Sequence, residues 1–598
     1  MADYNAPLRD MRFVLNHVVD LDGLCRLDAF GHVESDLVDA VLGEAGRLAA
    51  EVVAPLNQSG DREGSVLEGG EVRTPKGFKE AYRQFVEGGW NGVSFDPEYG
   101  GGGLPRVVGV AVQEMWGSAN LSFSLCPLLN HGAVELLAAH GSDALKATFL
   151  EKMVSGEWTG TMNLTEPQAG SDVGALRTKA EPAGDGTWRI SGTKIFITYG
   201  EHDMAENIVH LVLARTPGAP AGTKGISCFV VPKLLVADDG GLGPANDLRC
   251  VSVEHKLGIH ASPTCVMSYG DEGNCVGYLI GEENRGMRYM FTMMNNARLS
   301  VGLQGVAMAE RAYQEALAYA GERRQGRHPD SAPDESVAII EHADVRRTLM
   351  TMKAGTEAAR ALVYVNAEAI DLAHNHPDAE VRAARRDLAD LLTPVSKAWA
   401  SDLGCEIASL GIQVHGGMGF VEETGAAQFY RDVRITPIYE GTNGIQALDL
   451  VGRKLPMKGG EVVRGFLDGM RALDDDLAAA GGDFAVMRRN LAEGVAALGE
   501  ATDWLLATLP GDYHGAAAGA APYLRMFGLV TGGWLMARGA LAAARALADG
   551  ADDPFLKAKI ATARYYAEQI LPQAPALKGP ATAGAGLTFA LDPEQMAS

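Results

Sequence analysis

The chain has 598 residues, a formal net charge of −24, and 47% hydrophobic against 21% charged residues. The apolar fraction excludes a wholly disordered chain, and the acidic balance argues against a nucleic-acid binder, which needs a basic surface. At roughly 150 residues per domain, this length indicates about four domains or subdomains. The seven cysteines are scattered without zinc spacing, so we expect reduced thiols, no metal site and a cytoplasmic protein.

Two apolar regions bear on membrane association. Charged residues interrupt residues 1–24, so the pattern of a signal peptide is missing. The run FGLVTGGWLMA at 527–537 is too short to span a bilayer and is flanked by Arg525 and Arg538. We therefore expect a buried helix there and no stable membrane insertion.

The hydrophobic pattern changes along the chain. After an amino-terminal extension at 1–35, residues 36–160 have helical periodicity, and 161–285 consist of short β-branched runs. Helical periodicity returns at 286–456 and continues in the Ala- and Gly-rich residues 457–598. Because strands do not alternate with helices, the pattern disfavours a doubly wound parallel sheet. It predicts a mostly helical α+β protein with a β domain in the middle, a helix bundle after it and an extra carboxy-terminal helical domain.

The β segment contains a hairpin signal. Asp185-Gly186 separates two β-branched runs, and this dipeptide is typical of a tight turn between antiparallel strands. We therefore expect a compact antiparallel β domain.

Four segments rich in glycine, hydroxyl and aromatic side chains are candidates for ligand binding. They lie at 162–172, 194–198, 413–420 and 438–446. Small residues let the backbone approach a flat heterocycle closely, and backbone N–H groups and hydroxyls can bind phosphates. The glycines of the third segment do not open a strand–helix unit, so a Rossmann dinucleotide site is disfavoured.

Glu440 is the candidate base in the fourth segment. It lies between Tyr439 and Gly441 in a mostly apolar stretch, and a carboxylate shielded from water is a stronger base near neutral pH. The alternative is a solvated glutamate in a turn, and the residues alone favour that alternative.

Taken together, seven blocks in this order resemble the acyl-CoA dehydrogenase family of flavoproteins. They are PEYGG (97–101), MNLTEPQAGSDVGALRTKAE (162–181), ISGTKIFITYGEHDMAENIVHLVLART (190–216), KLGIHASPTC (256–265), GEENRGMRYMF (281–291), QVHGGMGF (413–420) and RDVRITPIYEGTNGIQ (431–446). The resemblance implies an amino-terminal helical domain, a middle antiparallel β-barrel domain and a carboxy-terminal four-helix bundle, with Glu440 as the catalytic base.

The length, the extension at 1–35 and the extra domain at 457–598 resemble one bacterial branch of this family. That branch includes 3-methylmercaptopropionyl-CoA dehydrogenases, which the family links to dimethylsulfoniopropionate degradation, together with less specific enzymes. The resemblance thus implies a short- to medium-chain acyl-CoA substrate. A general medium- or long-chain enzyme of β-oxidation is the alternative.

The implied reaction is α,β-desaturation of an acyl-CoA thioester to the trans-2-enoyl-CoA. Glu440 would take the α-proton and N5 of FAD the β-hydrogen as hydride, while the backbone N–H of Glu440 polarises the thioester oxygen. Some relatives place the base just before the arginine that matches Arg298. That position is Ala297 here, which cannot act as a base.

The resemblance also implies ligand contacts. The positions that it assigns to FAD are Met162, Leu164, Thr165, Gly170, Ser171, Phe196, Thr198, Arg323, Gln413, Gly416, Gly417, Thr442 and Asn443. The positions that it assigns to the acyl-CoA are Ser171, Arg298, Tyr439 and Gly441.

Three of these positions have structural alternatives. Phe196 stands where many relatives have tryptophan, and its alternative is a core strand residue. Arg298 has a helix-surface salt bridge as its alternative. Arg323 belongs to an R-x-Q-F-G pattern that lacks its phenylalanine here, and its alternative is a solvated helix end.

The resemblance implies electron-transfer flavoprotein as the electron acceptor and a homo-oligomer, expected to be a dimer. An acyl-CoA oxidase that passes electrons to oxygen is the nearest rival function. A catalytically dead flavoprotein scaffold is a rival of another class, and the presence of Glu440 argues against it.

Overall fold

A computed structural model describes residues 3–327 and 336–597 and divides the chain into two compact units. The first, called the bundle unit, comprises Met1–Gly43, Pro105–Glu114 and Val301–Ser598. The second, called the sheet unit, comprises Glu44–Leu104 and Met115–Ser300. Helices dominate the described residues, and the main sheet lies in the middle of the sequence, as predicted.

The α-helices of the described residues follow in chain order. They are α1 (Leu8–His17), α2 (Leu21–Cys25), α3 (Ser35–Leu48), α4 (Leu56–Glu63), α5 (Phe78–Glu87), α6 (Arg106–Ala119), α7 (Leu121–His140), α8 (Asp143–Ser155), α9 (Gly286–Glu322), α10 (Ala343–Asn375), α11 (Ala379–His415), α12 (Ala426–Val433), α13 (Asn443–Asp449), α14 (Glu461–Arg471), α15 (Asp474–Ala480), α16 (Phe484–Thr508), α17 (Tyr513–Ala518), α18 (Ala520–Ala548), α19 (Pro554–Tyr565), α20 (Gln573–Ala576) and α21 (Lys578–Thr582).

The strands of the described residues all lie in the sheet unit. They are β1 (Val66–Glu68), β2 (Glu71–Arg73), β3 (Trp158–Asn163), β4 (Lys179–Pro182), β5 (Trp188–Thr198), β6 (Asn207–Ala214), β7 (Ser227–Pro232), β8 (Leu234–Val236), β9 (Leu242–Ala245), β10 (Leu248–Val253), β11 (Thr264–Tyr269) and β12 (Val276–Leu279). Eight of them form one sheet in the order β10-β11-β5-β12-β7-β6-β3, with β4 paired to β5.

The pairing within this sheet is antiparallel with one exception. The β4–β5 ladder, in which Pro182 pairs with Trp188, confirms the hairpin expected at Asp185-Gly186. In contrast, β3 and β6 are parallel, so the expectation of a wholly antiparallel domain is corrected at this pair. The long connection from β3 to β6 carries β4 and β5, which gives the chain room to return in the same direction.

The sheet is covered on both faces at its centre. Every residue of β6 and β7 is buried. Along β6, Val209 and Leu211 join one apolar cluster with α7 and α8, whereas Val212 joins a second cluster with β5 and β11. Successive side chains on a strand point to opposite faces, so a strand buried on both faces reads as a continuous apolar run.

In the bundle unit, α18 packs against α11 through two glycines. A Cβ atom on Gly528 would lie 2.2 Å from Cγ of Trp399, and one on Gly532 would lie 2.8 Å from the same indole ring. This close approach fixes the carboxy-terminal helices onto α11. Helices α7 and α18 are long and apolar enough to cross a membrane, but 83% of the apolar window of each is buried, as in core helices.

Arg360 of α10 is the centre of a buried charge network in the bundle unit. Its guanidinium donates hydrogen bonds to the carboxylates of Asp10, Glu114 and Glu310 at 2.6, 2.7 and 2.7 Å. Tyr364 also donates to Glu114, at 2.8 Å. These contacts join α1, α6, α9 and α10.

Lys559 of α19 extends this network to the carboxy-terminal region. Its Nζ donates to Asp10 and to Glu357, both at 2.6 Å, and it is 5% exposed. Helix α1 near the start of the chain and helix α19 near its end therefore belong to one network of buried charges.

Candidate active site

The loop after β3, in the sheet unit, carries one set of the predicted site residues. Met162 is half-buried, one residue before the end of β3, and Leu164 is buried. Thr165 is half-buried, and its carbonyl accepts from N–H of Ile195 at 2.9 Å. Farther along, Gly170 and Ser171 are exposed, and a Cβ atom at Gly170 would meet nothing within 4 Å. The loop thus offers small, accessible groups on a backbone held to β5.

The buried side chain of Glu166 holds this loop through several hydrogen bonds. Its carboxylate is buried and accepts hydrogen bonds from Nζ of Lys194 at 2.8 Å, from the hydroxyl of Thr178 at 2.6 Å and from N–H of Arg177 at 2.7 Å. Lys194 is fully buried on β5 and also donates to the carbonyl of Leu164 at 3.0 Å. No sequence pattern distinguishes Glu166 or Lys194 as the pair that holds this loop, although both lie within the blocks that resemble the family.

The charge states of this pair follow from its surroundings. Burial raises the pKa of Glu166, but the Lys194 ammonium and the hydrogen bonds from Thr178 and Arg177 outweigh it and lower that pKa to about 2. Burial lowers the pKa of Lys194 to about 8, a fall that Glu166 limits. Both side chains are therefore charged at neutral pH and form a buried ion pair.

We expect Glu166→Gln to destabilise the sheet unit by about 3–5 kcal/mol, because it leaves the Lys194 ammonium buried without its carboxylate. Glu181→Gln, at an exposed position of β4, is the matched control and should change stability by less than about 0.5 kcal/mol. The carboxylate of Glu166 stabilises the fold above about pH 4.5, and this contribution is lost as pH falls towards 2. Calorimetric melting at pH 7 and pH 3 checks both statements, and equal melting of the two variants at pH 7 would contradict them.

Phe196 lies near the end of β5 in a strained and open position. Its φ is +60°, and its side chain is 58% exposed. A left-handed backbone at a bulky residue costs about 1–3 kcal/mol and is typical of functional sites. The core-strand alternative for Phe196 is therefore wrong. Thr198, two residues later, is half-buried.

The turn that carries Glu440, in the bundle unit, holds another set of the predicted site residues. Glu440 has a φ of +58° and Gly441 a φ of +81°, and the Glu440 side chain is half-buried. Gln446 is fully buried and donates from Nε2 to the carbonyl of Glu440 at 3.2 Å. The hydroxyl of Tyr439 donates to Oε1 of Gln304. The backbone at the candidate base is thus strained, and side-chain hydrogen bonds hold the residues of its turn.

Asn443 fixes the end of this turn. Its N–H donates to the carbonyl of Pro437 at 2.9 Å, and Oδ1 accepts from Nζ of Lys397 at 2.7 Å. Its Nδ2 donates to Asp402 at 2.7 Å and to Ser401 at 3.0 Å. Thr442 is the N-cap of α13, and its hydroxyl accepts from N–H of Ile445 at 3.3 Å.

The remaining predicted positions lie at the ends and in the middle of long helices. Arg298 is 6% exposed in α9, so the surface salt-bridge alternative is wrong for it, and Ala297 beside it is buried. Arg323 is exposed just after α9, as a solvated helix end would be. Gln413 is exposed in the last turn of α11, and the pair Gly416–Gly417, just after that helix, is exposed too.

The predicted residues therefore fall into two sets, one in each unit. The sheet unit holds Met162, Leu164, Thr165, Gly170, Ser171, Phe196, Thr198 and Arg298. The bundle unit holds Arg323, Gln413, Gly416, Gly417, Tyr439, Glu440, Gly441, Thr442 and Asn443. Within residues 3–327 and 336–597, no group of three or more His, Cys, Asp or Glu side chains could hold a metal ion.

Family models match most of the chain. The amino-terminal domain of acyl-CoA dehydrogenase matches residues 38–157, the middle domain 161–271 and the carboxy-terminal domain 284–455. A further model, described as acetyl-CoA dehydrogenase C-terminal like, matches residues 463–592. The predicted fold class is confirmed by these matches, whereas the domain boundaries stay predictions.

Proteins of the same length are similar to this chain. The 3-methylmercaptopropionyl-CoA dehydrogenase of Ruegeria pomeroyi is 51% identical over 568 residues, which cover 95% of this chain and 96% of that protein. A butyryl-CoA dehydrogenase of Syntrophomonas wolfei is 37% identical and covers 95% of each chain. The crystal structure of an acyl-CoA dehydrogenase complexed with FAD from Bacillus anthracis aligns with a TM-score of 0.73 at 21% identity, over 92% of this chain and 88% of that one. This chain therefore belongs to the acyl-CoA dehydrogenase family of oxidoreductases.

Proposed function

We propose that this protein is an FAD-dependent dehydrogenase that desaturates a short- to medium-chain acyl-CoA to its trans-2-enoyl-CoA. The observation that carries the proposal is Glu440, a half-buried carboxylate on a left-handed turn within a chain of this family. Backbone strain of this kind persists only where the surrounding structure enforces it, and it is frequent at catalytic groups.

The residues of the sheet unit fit FAD. The exposed ring of Phe196 offers an aromatic face for a flat heterocycle, and the open position at Gly170 lets a ligand approach the backbone. Thr165 and Thr198 are half-buried residues of the same two segments, and their hydroxyls would hydrogen-bond the cofactor. When bound, FAD supplies the acceptor for the β-hydrogen, which leaves as hydride.

The chain itself supplies the proton acceptor and the oxyanion donor. The carboxylate of Glu440 removes the α-proton of the thioester, and the electron pair of that C–H bond becomes part of the new double bond. The N–H of Glu440 donates to the thioester oxygen, where a donor is worth about 3–4 kcal/mol in the transition state. Ala297 offers no second base, so Glu440 performs this step alone.

The substrate proposal rests on the names of the relatives. One is named for 3-methylmercaptopropionyl-CoA and the other for butyryl-CoA. Both acyl groups are short, which supports a short-chain substrate and, for the first, a role in dimethylsulfoniopropionate degradation. Tyr439, Gly441, Ser171 and Arg298 are the proposed contacts to the acyl-CoA.

The proposed partners are electron-transfer flavoprotein and a second copy of this chain, in the cytoplasm. Met418, Phe420 and Val421 are 48%, 89% and 39% exposed in the segment of Gln413, Gly416 and Gly417. Large apolar side chains exposed together mark contact surfaces. They support the proposal that this segment reaches the FAD of a partner subunit, to which Arg323 would also contribute.

The test is anaerobic bleaching of the flavin in purified protein by butanoyl-, 3-methylmercaptopropionyl-, octanoyl- and palmitoyl-CoA. We expect the two short substrates to bleach the flavin fastest. Fastest bleaching by palmitoyl-CoA would favour the general β-oxidation enzyme, and no bleaching despite bound FAD would refute dehydrogenase activity. Oxygen consumption during turnover in air distinguishes the proposed dehydrogenase from an acyl-CoA oxidase. An oxidase would consume one oxygen molecule for each substrate molecule oxidised.

A further inference from the structure

The turn at Glu440 is held in place by a buried lysine of a neighbouring helix. Lys397 of α11 is fully buried, and its Nζ lies 2.7 Å from Oδ1 of Asn443. We propose that Lys397 acts through Asn443 as a positioning residue that holds Glu440 in the geometry required for proton removal. This inference rests on the proposed function, because it assigns Glu440 the role of base.

Asn443 is suited to transmit this constraint because its amide is bound on both sides. Lys397 donates to the amide oxygen, while the amide nitrogen donates to the carboxylate of Asp402 at 2.7 Å, to Ser401 at 3.0 Å and to the carbonyl of Ala398 at 3.1 Å. All four partners lie within two turns of α11. The first residue of α13 is therefore fixed on one rigid helix, three residues after the base.

The backbone between Glu440 and Asn443 is strained, so it keeps its conformation only if hydrogen bonds hold it. Two successive left-handed residues, Glu440 and Gly441, precede Asn443, and a strained non-glycine residue costs about 1–3 kcal/mol. Gln446 binds the carbonyls of this turn at 3.2 and 3.4 Å, which are long contacts. The short contacts at Asn443 are consequently the stronger hold, and losing one lets the turn relax away from its left-handed conformation.

A small relaxation has a large kinetic effect. Displacing a reacting group by about 1 Å through a remote substitution can cost about 100-fold in rate, because the near-attack geometry is lost. Two of the proposed substrate contacts, Ser171 and Arg298, do not lie on this turn, so substrate binding is less sensitive to the relaxation than proton removal is. The expected signature is therefore a fall in the flavin reduction rate at saturating substrate with little change in the apparent substrate dissociation constant.

The experiment is a double-mutant cycle on FAD-loaded enzyme with Lys397→Met, Asn443→Ala and the double variant. We expect Lys397→Met to lower the limiting rate of anaerobic flavin bleaching by about 10- to 100-fold and to change the apparent dissociation constant less than about 3-fold. In the Asn443→Ala background, Lys397→Met should hardly lower the limiting rate further, because Asn443→Ala has already removed the hydrogen bond through which Lys397 acts. Additive losses would overturn the proposal.

A matched control separates positioning from stability. Lys353→Met removes another lysine of the bundle unit, which binds Glu357 on α10, and should lower the melting temperature without changing the limiting rate. A Lys397→Met variant that melts earlier but keeps the wild-type rate would show that Lys397 is only structural.

A readout independent of activity completes the test. In crystals of the Lys397→Met protein we expect Glu440 to have left the left-handed region, with the wild-type crystal keeping its positive φ. An unchanged turn in the variant would refute the proposal. If the wild type itself is not bleached by any acyl-CoA, the proposed function fails, and the crystal comparison still decides whether Lys397 holds the turn.

Discussion

Glu440→Gln should lower the rate of anaerobic flavin bleaching by about 10²- to 10⁴-fold, the contribution that is typical of a general base. The amide has the shape of the carboxylate but cannot accept the α-proton. Because Glu440 is half-buried at the turn and its backbone carbonyl is bound by Gln446, the substitution should leave the turn and substrate binding unchanged. Stopped-flow absorbance with the best substrate of the panel measures the rate, and the FAD content of each preparation is checked by its absorbance.

Two controls make this result specific. Glu493→Gln removes an exposed carboxylate of α16 and should bleach at the wild-type rate. Glu440→Asp keeps the charge but shortens the reach by one methylene, so its rate should lie between those of the glutamine variant and the wild type. Wild-type bleaching by Glu440→Gln would show that another group removes the proton.

Arg360→Met should cause the largest loss of stability among single substitutions in the bundle unit. Arg360 is 1% exposed and is the shared partner of Asp10, Glu114 and Glu310, so its removal takes a buried cation from three carboxylates, of which Asp10 keeps Lys559. Breaking one buried ion pair costs about 3–5 kcal/mol, against a total stability of about 5–15 kcal/mol. We therefore expect a soluble fraction too small to purify at 37 °C, or a urea midpoint far below that of the wild type.

The electrostatic origin of this loss can be tested separately. Adding Glu114→Gln and Glu310→Gln to Arg360→Met removes the repulsion between the two carboxylates that lose this cation and should restore part of the urea midpoint. Arg347→Met is the matched control, since Arg347 is on the same helix, is 55% exposed and pairs with Asp344 one turn away. It should cost less than about 1 kcal/mol. No recovery in the triple variant would mean that packing, rather than charge, explains the loss.

Local patterns account for what the sequence predicted correctly. The β-branched run at 187–198 predicted a strand where β5 lies, and the dipeptide at 185–186 predicted its hairpin with β4, because both signals lie within a dozen residues. The apolar run at 527–537 likewise predicted a buried segment of α18. Glu440 itself was identified through the matched block around it, since a lone glutamate in a turn has no distinguishing pattern.

The contacts that hold the site were not predictable in this way. Lys397 and Asn443 are 46 residues apart, and nothing in the sequence between them signals that a lysine of one helix reaches the start of another. The parallel pairing of β3 with β6 depends on a long connection, for which strand propensity carries no information. The left-handed conformation of Phe196 also contradicts the preference of an aromatic residue for extended backbone, and only tertiary contacts enforce it.

The ion network around Asp10 affects how the protein folds during its synthesis. Asp10 leaves the ribosome early, whereas its partner Lys559 is 549 residues downstream. At about 5–20 residues per second, translation takes roughly 30–110 s to travel from one to the other. Throughout that interval the carboxylate of Asp10 lacks its lysine partner. The bundle unit therefore completes its buried ion network only after synthesis has nearly ended, so a chain that stops before Lys559 cannot form the contact between α1 and α19.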